Sequence, residues 1–179
     1  MSLVSSNVRV AVTGAVYAAP TATAAPTAAD SALNVAFVDL GYVSEDGVTE
    51  TRDRSTNQIK AWQNADLVRE VVTDASLSYT FTLIETNEAS VELFYGTTVD
   101  SVSGSVDIVP SATGGRQSFV IDVIDGSDLI RVYLPSAEVT EVGDQVYQSG
   151  EPIGYQVTVK GYPVAGVTAT KFFSALEAP

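Results

Sequence analysis

Between Leu67 and Glu85 the chain reads LVREVVTDASLSYTFTLIE, and from Asp74 to Leu83 polar and apolar residues alternate strictly. A period of two puts Ala75, Leu77, Tyr79, Phe81 and Leu83 on one face of a strand and Asp74, Ser76, Ser78, Thr80 and Thr82 on the other. A helix would scatter both sets around its axis. The β-branched and aromatic content also suits a pleated, half-buried surface. The spacing predicts one long strand, or two with a bend near Thr73, where about five or six residues is usual. Its wet face carries carboxylates and hydroxyls but no base. A strand of this kind belongs in a large shared sheet or barrel.

The rest of the chain supplies partners for it. Asn7–Ala18 reads as a first strand, with Val8, Val10, Val12 and Val16 facing one way. This alternation, an interrupting Arg9 and the lack of a basic leader argue against a secretory signal over Val8–Ala29. Residues 19–34 are rich in Ala, Thr and Pro; Pro20 and Pro26 remove donors, so the stretch predicts an extended loop or arm. Docking on a neighbour and a floppy tether are both open for it. Ala36–Ser44 and Gly47–Asp53 read as a hairpin about the turn Glu45-Asp46-Gly47. Arg54–Asn64 reads as a mostly polar loop, followed by Trp62 as a core anchor.

Asn87–Tyr95 is the one expected helix, about two and a half turns long. Asn87 suits the N-cap, Gly96 a left-handed C-cap, and Val91, Phe94 and Tyr95 form its apolar stripe. A loop with one short strand at Val106–Val109 follows. Gln117–Asp125 and Leu129–Leu134 predict a hairpin ended by Pro135, with Ala137–Val142 as an edge strand. Ile153, Tyr155, Val157 and Val159 face inward opposite Gln156, Thr158 and Lys160. Val167–Phe173 is the last strand, and residues 174–179 read as a frayed tail. The sum is roughly eight to ten strands and one helix, a mainly antiparallel β-sandwich or barrel forming a single domain over residues 1–179.

Chemistry is sparse. The chain has no Cys and no His, which removes disulfides, Cys/His metal sites and the usual base of a hydrolase triad. The pairs Glu45 with Asp46 and Asp122 with Asp125 read as solvated turn carboxylates rather than a glycosidase pair. The loops Glu45-Asp46-Gly47 and Asp125-Gly126-Ser127-Asp128 lack the spacing of the helical calcium loop. Gly114-Gly115 is followed by no GK[ST], so it is no phosphate loop. No apolar run approaches the roughly 20 residues of a membrane helix. Nine basic residues against 22 acidic ones give a net charge of -13, the wrong sign for gripping nucleic acid but compatible with repelling it. No catalytic residue, cofactor site or metal site is expected. A scaffold without a reagent reads as a building block or a binding surface.

The segments VRVAVTGAVYAAPTATAAP, FVDLGYVSEDGVTETRDRSTNQIKAWQNADLVREVVT and YTFTLIETNEASVELFYG resemble the major tail (tail tube) proteins of long, non-contractile-tailed bacteriophages of actinobacteria. The likeness is closest over Val8–Gly96 and most specific in LGYVSEDGVTETR and IKAWQNADLVREV. Beyond that it extends only to strand pattern and length. There is no room after Phe173 for the immunoglobulin-like domain some relatives carry.

The resemblance implies a structural virion protein, not an enzyme, with the fold shared by type VI secretion tubes. It implies hexameric rings stacked into a tube, each subunit adding strands to an inner barrel through which DNA passes. It also implies assembly in the host cytoplasm, partners such as the tape measure and tail terminator, no membrane and no cofactor. The expected lumen lining is Thr49, Thr51, Asp53, Glu70, Asp74, Ser76, Ser78, Thr80 and Thr82. The expected ring-to-ring contacts are Pro20 and Pro26 of the arm and Arg52, Arg54 and Lys60 of the polar loop. The rival reading is a β-sandwich binding module such as a capsid decoration or adhesion domain, and a carboxylate-based carbohydrate enzyme stands third.

Overall fold

The computed structural model describes residues 7–174. Ten strands and one helix follow in order: β1 (Thr13–Pro20), β2 (Val38–Asp39), β3 (Val43–Lys60), β4 (Leu67–Leu83), α1 (Glu88–Tyr95), β5 (Val99–Asp100), β6 (Ser105–Val106), β7 (Gln117–Asp125), β8 (Asp128–Val142), β9 (Tyr155–Gly161) and β10 (Thr170–Phe173). Eight of the strands make one antiparallel sheet, ordered β2-β1-β7-β8-β9-β4-β3 with β10 also on β8, while β5 and β6 pair apart. The expected class, mainly antiparallel β with one short helix, is therefore met.

The sheet curls on itself. Val16 of β1, Phe119 of β7, Leu134 of β8, Val157 of β9 and Phe81 of β4 share one buried cluster, and Val48 of β3 packs against it. Strands from both ends of the sheet could not meet in one core if it were flat. Leu93 of α1 closes the same cluster. At the cap of α1, the Asn87 side chain accepts the Ser90 amide at 2.8 Å and Ser90 Oγ accepts the Asn87 amide at 3.1 Å. Gly96 ends the helix at φ 66° with its amide donating to the Glu92 carbonyl at 2.9 Å. The caps are those expected; the stripe is shifted. Ser90 and Leu93 are the buried positions, while Phe94 stacks edge-on with Tyr155 at 5.5 Å.

Several boundaries differ from the sequence reading, each for a physical reason. Glu45-Asp46-Gly47 makes no hairpin. Val43 pairs with Leu83 and Val48 with Phe81, so the intervening residues bulge out of a single strand, with Gly47 at φ 66°. The same Asp-Gly chemistry that turns a hairpin also builds a bulge, and the long partner β4 keeps the strand going. Arg54–Lys60 is strand, not loop, paired through to Leu67.

Pro135 does not end β8. It sits opposite a register shift between Gln117 and Phe119, where Ser118 Oγ donates to its carbonyl at 2.9 Å. There β8 exchanges β10 for β9 as its neighbour, so the amide that proline lacks is not missed. Ala137–Val142 is consequently a paired strand rather than an edge. Val8, Val10 and Val12 precede β1 and are exposed.

The Ala/Pro/Thr-rich stretch is extended but not free. Pro26 and Ala29 are buried, and Phe37 packs with Val120 and Tyr133 in a second cluster on the outer side of β7 and β8. Ser174 is pinned to Leu129, its amide donating to the Leu129 carbonyl at 2.9 Å; the remainder of the expected frayed tail lies outside the described residues.

Candidate functional site

The register of β3 on β4 collects the predicted polar residues onto one face. Thr49 lies opposite Thr80, Thr51 opposite Ser78 and Asp53 opposite Ser76. In an antiparallel pair such partners share a face, so two separately predicted sets become one surface. Behind it, Tyr79, Phe81 and Leu83 are buried in the core. The face runs on across β9, where Ser78 meets Lys160, Thr80 meets Thr158 and Thr82 meets Gln156. Thr80 and Thr158 share a hydroxyl hydrogen bond at 2.9 Å. On β8 it gains Glu138 opposite Lys160 and Glu141 opposite Thr158.

Thr82 completes the series, and Asp74 lies opposite Ser55 beyond Ser76. A one-residue bulge at Thr73 then separates Asp74 from Glu70, whose carboxylate accepts the Thr56 hydroxyl at 2.7 Å. The sequence already showed Gln156, Thr158 and Lys160 alternating with the apolar face of β9. What it could not show was that β9 lies beside β4 rather than elsewhere in the sheet.

The basic residues of β3 occupy the alternate positions. Arg52 pairs with Leu77 and Arg54 with Ala75, on the side opposite Thr51 and Asp53. Glu50 sits on that second side, bonded by the Tyr79 hydroxyl at 2.9 Å, by Lys171 of β10 and by Arg52 at 3.4 Å. Burial alone would raise the Glu50 carboxyl, but the hydrogen bonds from Lys171 and Tyr79 outweigh it and hold its pKa below the ordinary value. Burial, followed by the bond to Glu50, pushes the Tyr79 hydroxyl well above its usual range.

Beyond this face the β3–β4 pair leaves the body of the molecule as a bare ribbon. From Thr51 to Ala75 every residue is exposed except Ala61 and Val71, which are half-buried. The ribbon carries Ile59, Trp62, Leu67, Val68 and Val72 into solvent. Trp62, expected in the core, is 97% exposed; it stands in the turn that joins the two strands, too far from the curled sheet to reach the interior. Its solitary position in a polar stretch was the signal available. Arg52, Arg54 and Lys60 all lie on this ribbon, whereas Pro20 ends β1 and is exposed. Pro26 is buried in its own chain, which removes it as a surface for a neighbour.

The paired carboxylates are committed elsewhere. Asp122 is held by Arg131, and Asp125 accepts the Val10 amide at 2.8 Å. Among the described residues no three of the acidic side chains come together as a metal site, and no helix is long and apolar enough to cross a membrane.

A family model described as "Phage tail tube protein" matches residues 1–175. No curated protein matches in sequence. Among solved structures, the chain is similar to one from the sheath-tube complex of PVC, an extracellular contractile injection system, in its extended state. The two share 8% identity over 98% of this chain and 100% of that one, with a TM-score of 0.53; the likeness is one of fold. Two more distant matches are a chain of the anti-feeding prophage tube-terminating cap (10% identity, 96% and 95% covered, TM-score 0.47) and one of the virion of a native gene transfer agent (12%, 80% and 92%, TM-score 0.41).

Proposed function

We propose, on the premise that this chain belongs to the phage tail tube protein family, that six copies close into a ring and that rings stack into a conduit for DNA. The chain is a structural component of the phage tail. The finer reading is a siphovirus-type tube of an actinobacteriophage, assembled in the host cytoplasm on a tape measure and closed by a terminator. Residues 1–179 act in it as a single tube domain.

The observation that carries this reading is the bare ribbon. An isolated two-stranded ribbon is marginal in water, and one with apolar residues on display needs a partner to cover it. In a stacked tube that partner is another subunit, with Arg52, Arg54, Lys60 and Pro20 at the contact. A capsid decoration or adhesion module has no such requirement.

Two further features support it. β3 ends the sheet with its outer edge unpaired, an aggregation hazard in a monomer but the natural joint of a ring whose rotation closes. The polar face gives a bore of small hydroxyls and carboxylates: Thr49, Thr51, Asp53, Ser76, Ser78, Thr80 and Thr82, with Glu70 and Asp74 further out. Arg52 and Arg54 point away from it. Each lysine or arginine contact to phosphate releases counterions and adds affinity, so a conduit works by offering few. Negative-stain microscopy of the purified protein tests the reading: rings or tubes support it, and persistent monomers at high concentration contradict it.

A further inference from the structure

We infer that the ribbon tip of one subunit docks, through Trp62, into the groove between α1 and β1–β2 of a second copy of this chain. The inference rests on the tube reading above and names the site on the neighbour.

The groove has a volume of about 740 Å³. Ala19, Val38, Leu40 and Ala89 form its apolar wall, and Asp39, Glu88 and Glu92 are its acidic residues. Within its own chain nothing fills it with an aromatic ring, and Trp62 of the same chain is 97% exposed. An indole is a large apolar body with one polar N–H, suited to an anchor at a contact.

Charge selects this pairing. The ribbon from Thr51 to Ala75 holds Arg52, Arg54, Lys60 and Arg69 against Asp53, Asp66, Glu70 and Asp74. It is neutral, so the whole charge of -13 lies on the rest of the molecule. Two copies therefore repel body to body, and the ribbon is the part that approaches a neighbour without that penalty. Lys60 and Arg69 flank the tip and face a groove that offers three carboxylates.

The tip is also preformed. Asn64 and Ala65 both adopt the left-handed region, at φ 54° and 53°. The Ala61 amide donates to the Asp66 carbonyl at 2.8 Å, and the Asp66 amide to the Gln63 carbonyl at 3.3 Å. A non-glycine residue held there is a strained feature of the kind found at functional contacts, and a fixed loop loses less freedom on docking.

The sole tryptophan and the lack of cysteine make the test direct. Assembly of the wild-type protein is followed by tryptophan emission and by electron microscopy. A cysteine pair, Gln63→Cys with Glu88→Cys, is treated with a short thiol crosslinker before and after assembly. The inference expects emission to move to the blue as tubes form, and a crosslinked ladder from the double variant only in the assembled state. Trp62→Ala, folded by circular dichroism, should lose tube growth. Tubes with unshifted emission and no ladder would overturn the inference and leave the tube reading standing. A wild-type protein that never forms rings or tubes would overturn both.

Discussion

Arg131 holds Asp122 through two parallel hydrogen bonds of 2.7 Å, Nε to Oδ1 and Nη2 to Oδ2. Its remaining nitrogen reaches the carbonyls of Ala28 and Ser31. One buried guanidinium thus joins β7, β8 and the Ala/Pro/Thr-rich loop. Removing one partner of such a pair leaves the other charge buried and costs about 3–5 kcal/mol. Asp122→Ala should lower the urea midpoint accordingly, and Arg131→Met should in addition expose residues 21–36 to limited proteolysis. Unchanged cleavage in Arg131→Met would show that Phe37 and its neighbours hold the loop alone.

Gly96 should tolerate no side chain. It lies at φ 66°, and a Cβ there would stand 2.7 Å from the Ala112 carbonyl oxygen and 2.7 Å from the Gly114 amide nitrogen. The left-handed conformation alone costs an alanine about 1–2 kcal/mol, and the contacts are with backbone, which cannot swing aside. Gly96→Ala is expected to lose more than about 2 kcal/mol in denaturant unfolding, whereas Gly126→Ala, with open space around it, should lose only the conformational part.

Glu50 gives a pH dependence with a definite sign. Its folded-state pKa lies below the ordinary 4.5. The stability it contributes is therefore present above that value and is lost as pH falls through the folded pKa. Comparing wild type with Glu50→Gln across pH 7 to 3 should show a gap on the order of 1 kcal/mol near neutrality, shrinking on acidification. A gap that widens in acid would contradict the hydrogen bonds from Lys171 and Tyr79.

What the sequence disclosed follows from the range of the interactions involved. Strict alternation made β4 legible, and Asn87 with Gly96 bounded α1, because these signals are local. The polar faces of β3 and β4 were each legible alone, but their union rests on a register spanning the turn at Ala61–Asp66. Asp46-Gly47 misled because a bulge and a hairpin use the same backbone conformation. Trp62 misled because burial is the usual fate of an indole, and only the full length of β3 and β4 shows that it stands beyond the sheet. Pro135 misled because the ladder it would break is relieved by a bulge on the neighbouring strand.

Charge on the polar face should control passage rather than assembly. Asp74→Lys and Glu70→Lys are predicted to leave tubes intact while slowing DNA ejection. The delay should fall steeply with added salt, since each new phosphate contact contributes a slope of about -0.9 in log affinity against log salt. Ejection at wild-type speed would count against these positions lining the bore.

The most direct measurement is a reconstruction of the assembled tube at side-chain resolution. The account predicts sixfold rings in which Ser76, Ser78, Thr80 and Thr82 face an electronegative channel. Those four residues buried between layers, or a channel walled by Arg52, Arg54 and Lys60, would contradict it.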